Sequence, residues 1–178
     1  PGIGNNEWGK SSYLPNAVFA VTADIDHDGD LDLLLANPDK SYLMSNDGNG
    51  VFLNVTESAG LPNNLPIDQA IFSDFDNDRD VDFFLRSNGD ILLYSNNRDG
   101  TFSEISKKLN IDSYQSRGIN VQDINQDGTM DLLVLTTNNE LHQLVNENGQ
   151  RFVNGQQINH ITAESLICGD IDNDGDLD

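Results

Sequence analysis

The chain is poor in cysteine, in positive charge and in long apolar runs, and each shortage closes off a class of protein. Its single cysteine, Cys168, rules out a disulfide framework. Only 9 Lys and Arg stand against 30 Asp and Glu, a formal net charge of −21, and nucleic-acid binding needs basic patches that such a balance does not supply. No apolar run approaches the roughly 18 residues needed to span a bilayer as a helix. The three histidines, His27, His142 and His160, share no common position in the repeat described below. No phosphate-binding glycine loop and no Cys-x-x-Cys pair occurs. Nothing therefore assembles a nucleophile, a base and an orienting group, and this segment is read as non-catalytic.

What is present is repetition. One carboxylate-packed loop is written four times: Asp24-Ile-Asp-His-Asp-Gly-Asp-Leu-Asp32, Asp74-Phe-Asp-Asn-Asp-Arg-Asp-Val-Asp82, Asp123-Ile-Asn-Gln-Asp-Gly-Thr-Met-Asp131 and Asp170-Ile-Asp-Asn-Asp-Gly-Asp-Leu-Asp178. The starts are 50, 49 and 47 residues apart, and the loops hold 18 of the 30 acidic residues. Each loop offers side-chain oxygens at positions 1, 3, 5 and 9, with a further oxygen at position 7. The candidate ligands are Asp24, Asp26, Asp28, Asp30 and Asp32 in loop one and Asp74, Asp76, Asp78, Asp80 and Asp82 in loop two. Loop three supplies Asp123, Asn125, Asp127, Thr129 and Asp131, and loop four Asp170, Asp172, Asp174, Asp176 and Asp178.

Such a donor set suits Ca²⁺, which takes about 6–8 oxygens at loosely constrained angles, better than Mg²⁺, which demands a strict octahedron. Without thiolates or paired imidazoles, zinc is a poor fit. Two carboxylates about 4 Å apart repel by roughly 4 kcal/mol at an effective dielectric of 20, so an empty loop is expected to splay. An EF-hand is excluded: position 12 is Leu35, Leu85 or Val134 instead of Glu, and the flanks are strand-like. Up to four Ca²⁺ sites are expected. Loop two should be the weakest, because Arg79 stands where the others have glycine and could serve as a built-in counter-ion.

A second landmark keeps the period. Asn46, Asn96 and Asn146 recur, as do Phe52, Phe102 and Phe152, around the turns Asp47–Gly50, Asn97–Gly100 and Glu147–Gln150. Asn/Asp-Gly stretches of this kind mark hairpins. Each repeat then reads as four short strands: about 18–23, 31–36, 41–45 and 51–55 in the first, 69–73, 81–86, 91–95 and 101–105 in the second, and 118–122, 130–136, 140–145 and 151–153 in the third. The one helical hint is a turn near Thr56–Gly60. Four antiparallel strands per repeat of about 50 residues describe a β-propeller blade, so the fold class is all-β. The repeats run approximately 18–67, 68–116, 117–163 and a truncated 164–178, and 1–17 is read as the end of a preceding blade or a linker. Three and a half blades are expected to be a portion of a larger ring.

The D-x-D-x-D-G-x-x-D loops resemble those of the FG-GAP/VCBS repeats, best known in the integrin α-chain propellers. The segment Phe52-Leu-Asn-Val-Thr-Glu-Ser-Ala-Gly-Leu61 resembles the linker of VCBS repeats in the ASPIC/UnbV-type secreted propellers. The Phe-Gly and Gly-Ala-Pro signatures of the integrin subset are absent. The resemblance implies the propeller fold and calcium ligation at Asp24, Asp74, Asp123, Asp170 and their loop-mates, and no integrin ligand-binding role.

Low-affinity calcium sites belong to extracellular modules, so secretion or surface display is expected. Three functions stay open: an adhesion or scaffold module for an extracellular protein or glycan, the propeller of a secreted carbohydrate-active enzyme or lectin, and a self-assembling structural protein. Asn54-Val-Thr56 is a glycosylation sequon. Cys168 aligns with Thr22, Phe72 and Val121 and is read as a small buried hydrophobe. Trp8 and Tyr13 are read as blade-edge packing, and Glu57 and Glu104 as linker residues.

Overall fold

In a computed structural model, residues 17–163, 165–169 and 172 are described. They form three four-stranded antiparallel sheets, each built from consecutive strands in chain order. The first holds β1 (Phe19–Ala23), β2 (Asp32–Ala36), β3 (Tyr42–Asn46) and β4 (Phe52–Asn54). The second holds β5 (Gln69–Ser73), β6 (Asp82–Ser87), β7 (Asp90–Asn96) and β8 (Phe102–Glu104). The third holds β9 (Ser116–Gln122), β10 (Asp131–Thr136), β11 (Glu140–Asn146) and β12 (Phe152–Asn159). No helix occurs among the described residues. These are propeller blades, as the four-strand reading required.

The pattern of β6 explains why the blades stack. Successive side chains of a strand point to opposite faces. Accordingly Phe83 and Leu85 join the core between the first and second sheets, while Phe84 joins the core between the second and third. A strand covered on both sides reads as an unbroken apolar run, and all three of these residues are fully buried. Phe102 stacks on Phe83 with ring centroids 4.1 Å apart, and Phe152 meets Phe84 edge-on at 6.2 Å. The recurrent phenylalanine is thus an inter-blade anchor in the second and third blades.

The linkers fill the wedge between blades. Around Thr56–Gly60 the chain makes a turn, with Ala59 N–H donating to Val55 C=O at 2.7 Å and Leu61 N–H to Thr56 C=O at 2.9 Å. Ala59, Leu61 and Ile67 enter the first inter-blade core, and Leu109 and Ile111 from the equivalent turn enter the second. The Thr56 hydroxyl accepts from Leu43 N–H at 2.9 Å and donates to Asn54 Oδ1 at 2.7 Å. Ser106 repeats the first bond, accepting from Leu93 N–H at 2.7 Å. The Asn54 sequon thereby doubles as a turn lock. Glu104, read from the sequence as a linker residue, accepts from Ser106 N–H at 2.8 Å and occupies the position Asn54 holds in the first repeat.

The third repeat departs from the first two after Phe152. β12 runs to Asn159, well past the shorter β4 and β8, and its pairing with β11 is interrupted near His142–Leu144. First strands sit side by side, β1 beside β5 and β5 beside β9. Between the last two, Gln69 makes a two-pronged amide bond to Ile119, accepting its N–H at 3.0 Å and donating to its C=O at 2.6 Å.

Candidate metal centre

The β1–β2, β5–β6 and β9–β10 connections are the first three carboxylate loops, and they share one conformation. Positions 4 and 6 are left-handed in each: His27 (φ 60°) and Gly29 (φ 90°), Asn77 (59°) and Arg79 (76°), Gln126 (59°) and Gly128 (86°). Position 6 was legible from its glycines. Position 4 was not, because His, Asn and Gln share no backbone signature. Arg79 does adopt the strained conformation, at a cost of order 1–2 kcal/mol for a residue with a Cβ.

Position 1 organises each loop. Its carboxylate accepts the position-6 amide: Gly29 N–H to Asp24 at 3.1 Å, Arg79 N–H to Asp74 at 2.9 Å and Gly128 N–H to Asp123 at 2.8 Å. Position 9 closes the loop. Asp32, Asp82 and Asp131 are buried, and each accepts the position-2 amide with one oxygen, Ile25 at 2.9 Å and Phe75 and Ile124 at 3.2 Å. The other oxygen takes the backbone N–H of the recurrent asparagine, Asn46 at 2.8 Å, Asn96 at 2.9 Å and Asn146 at 2.8 Å. The last carboxylate of the motif is therefore a brace between loop and third strand, whatever else it binds. Burial pushes all three above the usual carboxylate range, Asp82 up to about 7.

Positions 1, 3 and 5 converge. In loop one a carboxylate oxygen from each of Asp24, Asp26 and Asp28 lies within 4.8 Å of the other two, and Asp74, Asp76 and Asp78 do the same in loop two. Burial, followed by the neighbouring charges of Asp28 and Asp78, raises Asp26 and Asp76. Asp24 Oδ1 and Asp76 Oδ1 are buried with no hydrogen-bond partner. A buried acceptor without a donor is costly. Three carboxylates with one such orphaned oxygen in each loop fit a hard cation, and either triad could hold one.

Loop three differs as its sequence foretold. Asn125 replaces a carboxylate, and its Nδ2 donates to Asp127 Oδ2 at 2.9 Å while the Thr129 hydroxyl donates to Asp127 Oδ1 at 2.5 Å. The Thr129 hydroxyl, ahead of its amide, holds Asp127 below the usual range. This loop satisfies itself from within. Of loop four only Asp172 lies among the described residues, so Asp170, Asp174, Asp176 and Asp178 fall outside them.

The counter-ion in loop two is Arg98, not Arg79. Arg98 sits at the tip of the β7–β8 hairpin, in the place of Gly48 and Asn148, and is itself left-handed at φ 62°. Its guanidinium donates to Asp80 Oδ2 and to the Asp78 carbonyl, and lies 3.6 Å from Asp78 Oδ2. His27 of loop one reaches Asp80 Oδ1 from the other side at 2.6 Å. Between loop one and this hairpin lies a cavity of about 220 Å³, lined by Asp26, His27, Asp80, Asn96 and Arg98 among others. Arg79 contributes its backbone amide. Sequence reading placed the charge inside the loop and not on the β7–β8 hairpin, because the hairpin tip is 18 residues from Asp80.

The remaining candidates are scattered. His142 pairs with Glu140 at 3.1 Å and packs edge-on against Tyr114, and neither His142 nor His27 is hydrogen-bonded to a hydroxyl or thiol among the described residues. Glu57 accepts from Asn63 Nδ2 at 2.9 Å on the linker surface. Cys168 is half-buried, with its thiol pushed up by burial, and no strand is present at 165–169. Trp8 and Tyr13 lie outside the described residues.

A family model for the FG-GAP-like repeat matches residues 24–84, 74–134 and 123–178, each match running from one carboxylate loop into the next repeat. The chain belongs to the FG-GAP-like repeat family. No curated protein matches the sequence. Among solved structures, this FG-GAP-like chain is similar to an Agrocybe aegerita lectin described as recognising non-reducing terminal N-acetylglucosamine. The identity is 19%, the TM-score 0.50, and the likeness covers 79% of this chain and 38% of the lectin. It is also similar to a chain of the Photorhabdus luminescens Tc holotoxin pore, at 20% identity and TM-score 0.43, covering 79% of this chain and 7% of that one. At such identities the lectin supports the fold alone. The chain spans well under half the length of either neighbour.

Proposed function

We propose that this chain is part of a calcium-stabilised, non-catalytic β-propeller that works outside the cell as a structural or adhesion module for a protein or glycan partner. The observation that carries the reading is the pair of Asp triads, Asp24/Asp26/Asp28 and Asp74/Asp76/Asp78, each with a buried oxygen that has no donor. When bound, Ca²⁺ would neutralise the triad and supply the missing partner to Asp24 Oδ1 and Asp76 Oδ1. Asp123, Asn125 and Asp127 would hold it more weakly in loop three. Sites of this open, extracellular type fill at about 10⁻⁴–10⁻³ M, far above cytosolic calcium, which supports secretion or surface display. The non-catalytic reading is supported by the duties of the carboxylates closest together, which lie in the ion loops, and of Glu104, which locks a linker turn. No helix among the described residues is long and apolar enough to cross a membrane.

Self-assembly is a second reading. It is favoured by the first blade carrying four large apolar side chains open to solvent, Val18, Leu31, Val51 and Leu53, surface that association could cover.

Thermal unfolding in Ca²⁺, in Mg²⁺ and in chelator, with light scattering alongside, tests both. At about ten times its dissociation constant each filled loop adds roughly 1.4 kcal/mol, so two filled loops should raise the midpoint by roughly 6–11 °C. Equal midpoints in calcium and chelator would overturn the calcium reading. Scattering that rises with calcium before unfolding would move assembly to the front.

A further inference from the structure

Asn96 and Asn146 do something their own blades do not require. The side-chain amide of Asn96 donates to the Ile25 carbonyl at 2.9 Å, and that of Asn146 donates to the Phe75 carbonyl at 2.6 Å, each across 71 residues. Both acceptors are position 2 of the preceding blade's loop. Each is the peptide oxygen immediately before the position-3 carboxylate, Asp26 or Asp76. Both asparagines are buried, Asn146 at 1% exposure. Their amide orientation is settled from the other end, since Asn96 Oδ1 accepts from Arg98 N–H at 3.0 Å and Asn146 Oδ1 from Gly149 N–H at 2.8 Å.

The position-2 residue is thus pinned twice. Its N–H is held by the position-9 carboxylate of its own loop and its C=O by the asparagine of the next blade. The third blade also presses directly on loop two. A Cβ at Gly149 would come within 2.7 Å of the Asp76 Cα, so the hairpin can approach only because that residue is glycine. In the forward direction, position 4 reaches the next loop: His27 to Asp80 at 2.6 Å, and Asn77 Nδ2 to the Gly128 carbonyl at 3.0 Å.

We propose that Asn96 and Asn146 are positioning residues for the ion loop of the blade before them, so that each loop gains its calcium affinity only when the following blade is docked. The inference rests on the calcium reading above and adds to it a direction: blade two completes loop one, and blade three completes loop two. Partners that orient a metal's ligands without touching the metal typically carry 10–100-fold in affinity. Binding an ion and docking the next blade then favour one another, because linkage is reciprocal.

The test is a calcium titration of the whole chain followed by ¹H–¹⁵N NMR, reading the position-6 amides of Gly29, Arg79 and Gly128 as separate reporters of the three loops. Asn96→Ala should raise the calcium concentration for half-response at Gly29 by about tenfold or more, with Gly128 unmoved. Asn146→Ala should do the same at Arg79, with Gly29 unmoved. Asn96→Asp and Asn146→Asp keep the size and the oxygen that accepts from the hairpin, but put a charged acceptor in place of the amide that donates to Ile25 or Phe75 and, within the same blade, to Val81 or Met130. They should weaken the same preceding loop despite adding negative charge near it, an effect that lost packing would not produce. Weakening confined to the variant's own loop, equal weakening at all three reporters, or no change would overturn the proposal. A wild-type chain whose three amides ignore calcium would instead sink the calcium reading itself.

Discussion

His27 Nε2 and Asp80 Oδ1 lie 2.6 Å apart although 53 residues separate them. The contact joins position 4 of loop one to position 7 of loop two. Asp80 is almost fully buried while His27 is half exposed, so the bond shields a carboxylate whose other side-chain partner among the described residues is Arg98. A double-mutant cycle with His27→Ala and Asp80→Asn, followed by urea unfolding in calcium, should return a coupling of about 0.5–3 kcal/mol. Strict additivity would mean that the contact does not help dock the first two blades.

Arg98 competes with any cation in loop two. Two unit charges near 4 Å interact by roughly 4 kcal/mol at an effective dielectric of 20, and exposure of the guanidinium cuts this to about 1 kcal/mol. Arg98→Gly, the residue of the first blade, should therefore tighten loop two about fivefold in a calorimetric calcium titration. By the same logic Asp26→Ala should lose more calcium-dependent stability than Asp76→Ala while Arg98 is present. Equal losses, and an unchanged isotherm for Arg98→Gly, would show the guanidinium to be a bystander.

Arg79 holds φ at 76°. Arg79→Gly relieves that strain but loosens the unfolded chain, and the balance should stabilise by about 0.5–1 kcal/mol. The gain should appear in chelator as well as in calcium, since it is a backbone effect. A gain seen only with calcium would mean that Arg79 repels the ion directly.

Phe84 is fully buried and meets Phe75 and Phe152 edge-on at 6.3 and 6.2 Å. Phe84→Ala should cost about 3–5 kcal/mol in chemical unfolding. Leu53→Ser, at a residue 54% exposed on the first blade, should change stability by about 0.5 kcal/mol or less. A large loss for Leu53→Ser would reveal a partner seated on that face.

The blades were legible because they depend on short-range pattern. Phe83, Phe84 and Leu85 announce a strand covered on both faces, Asp-Gly stretches mark the hairpins, and equal spacing of the loops counts the repeats. Position 9 carries a duty the motif does not announce: Asp32, Asp82 and Asp131 look like any other carboxylate of the loop, yet both oxygens of each accept backbone amides. Asn46, Asn96 and Asn146 were visible as a 50-residue period with no duty attached.

Repetition in the chain determined the strands, the loops and the chemistry they offer, since a nine-residue loop closes on donors and acceptors within its own span. Only the stacking of blades decided which groups complete each loop. Asn146 finds Phe75, Arg98 finds Asp80 and Gly149 makes room for Asp76 because neighbouring sheets bury a shared apolar core and bring these residues together. A hydrogen bond across 71 residues leaves no local trace, because its geometry is set by the packing between blades and not by the residues beside it in the chain.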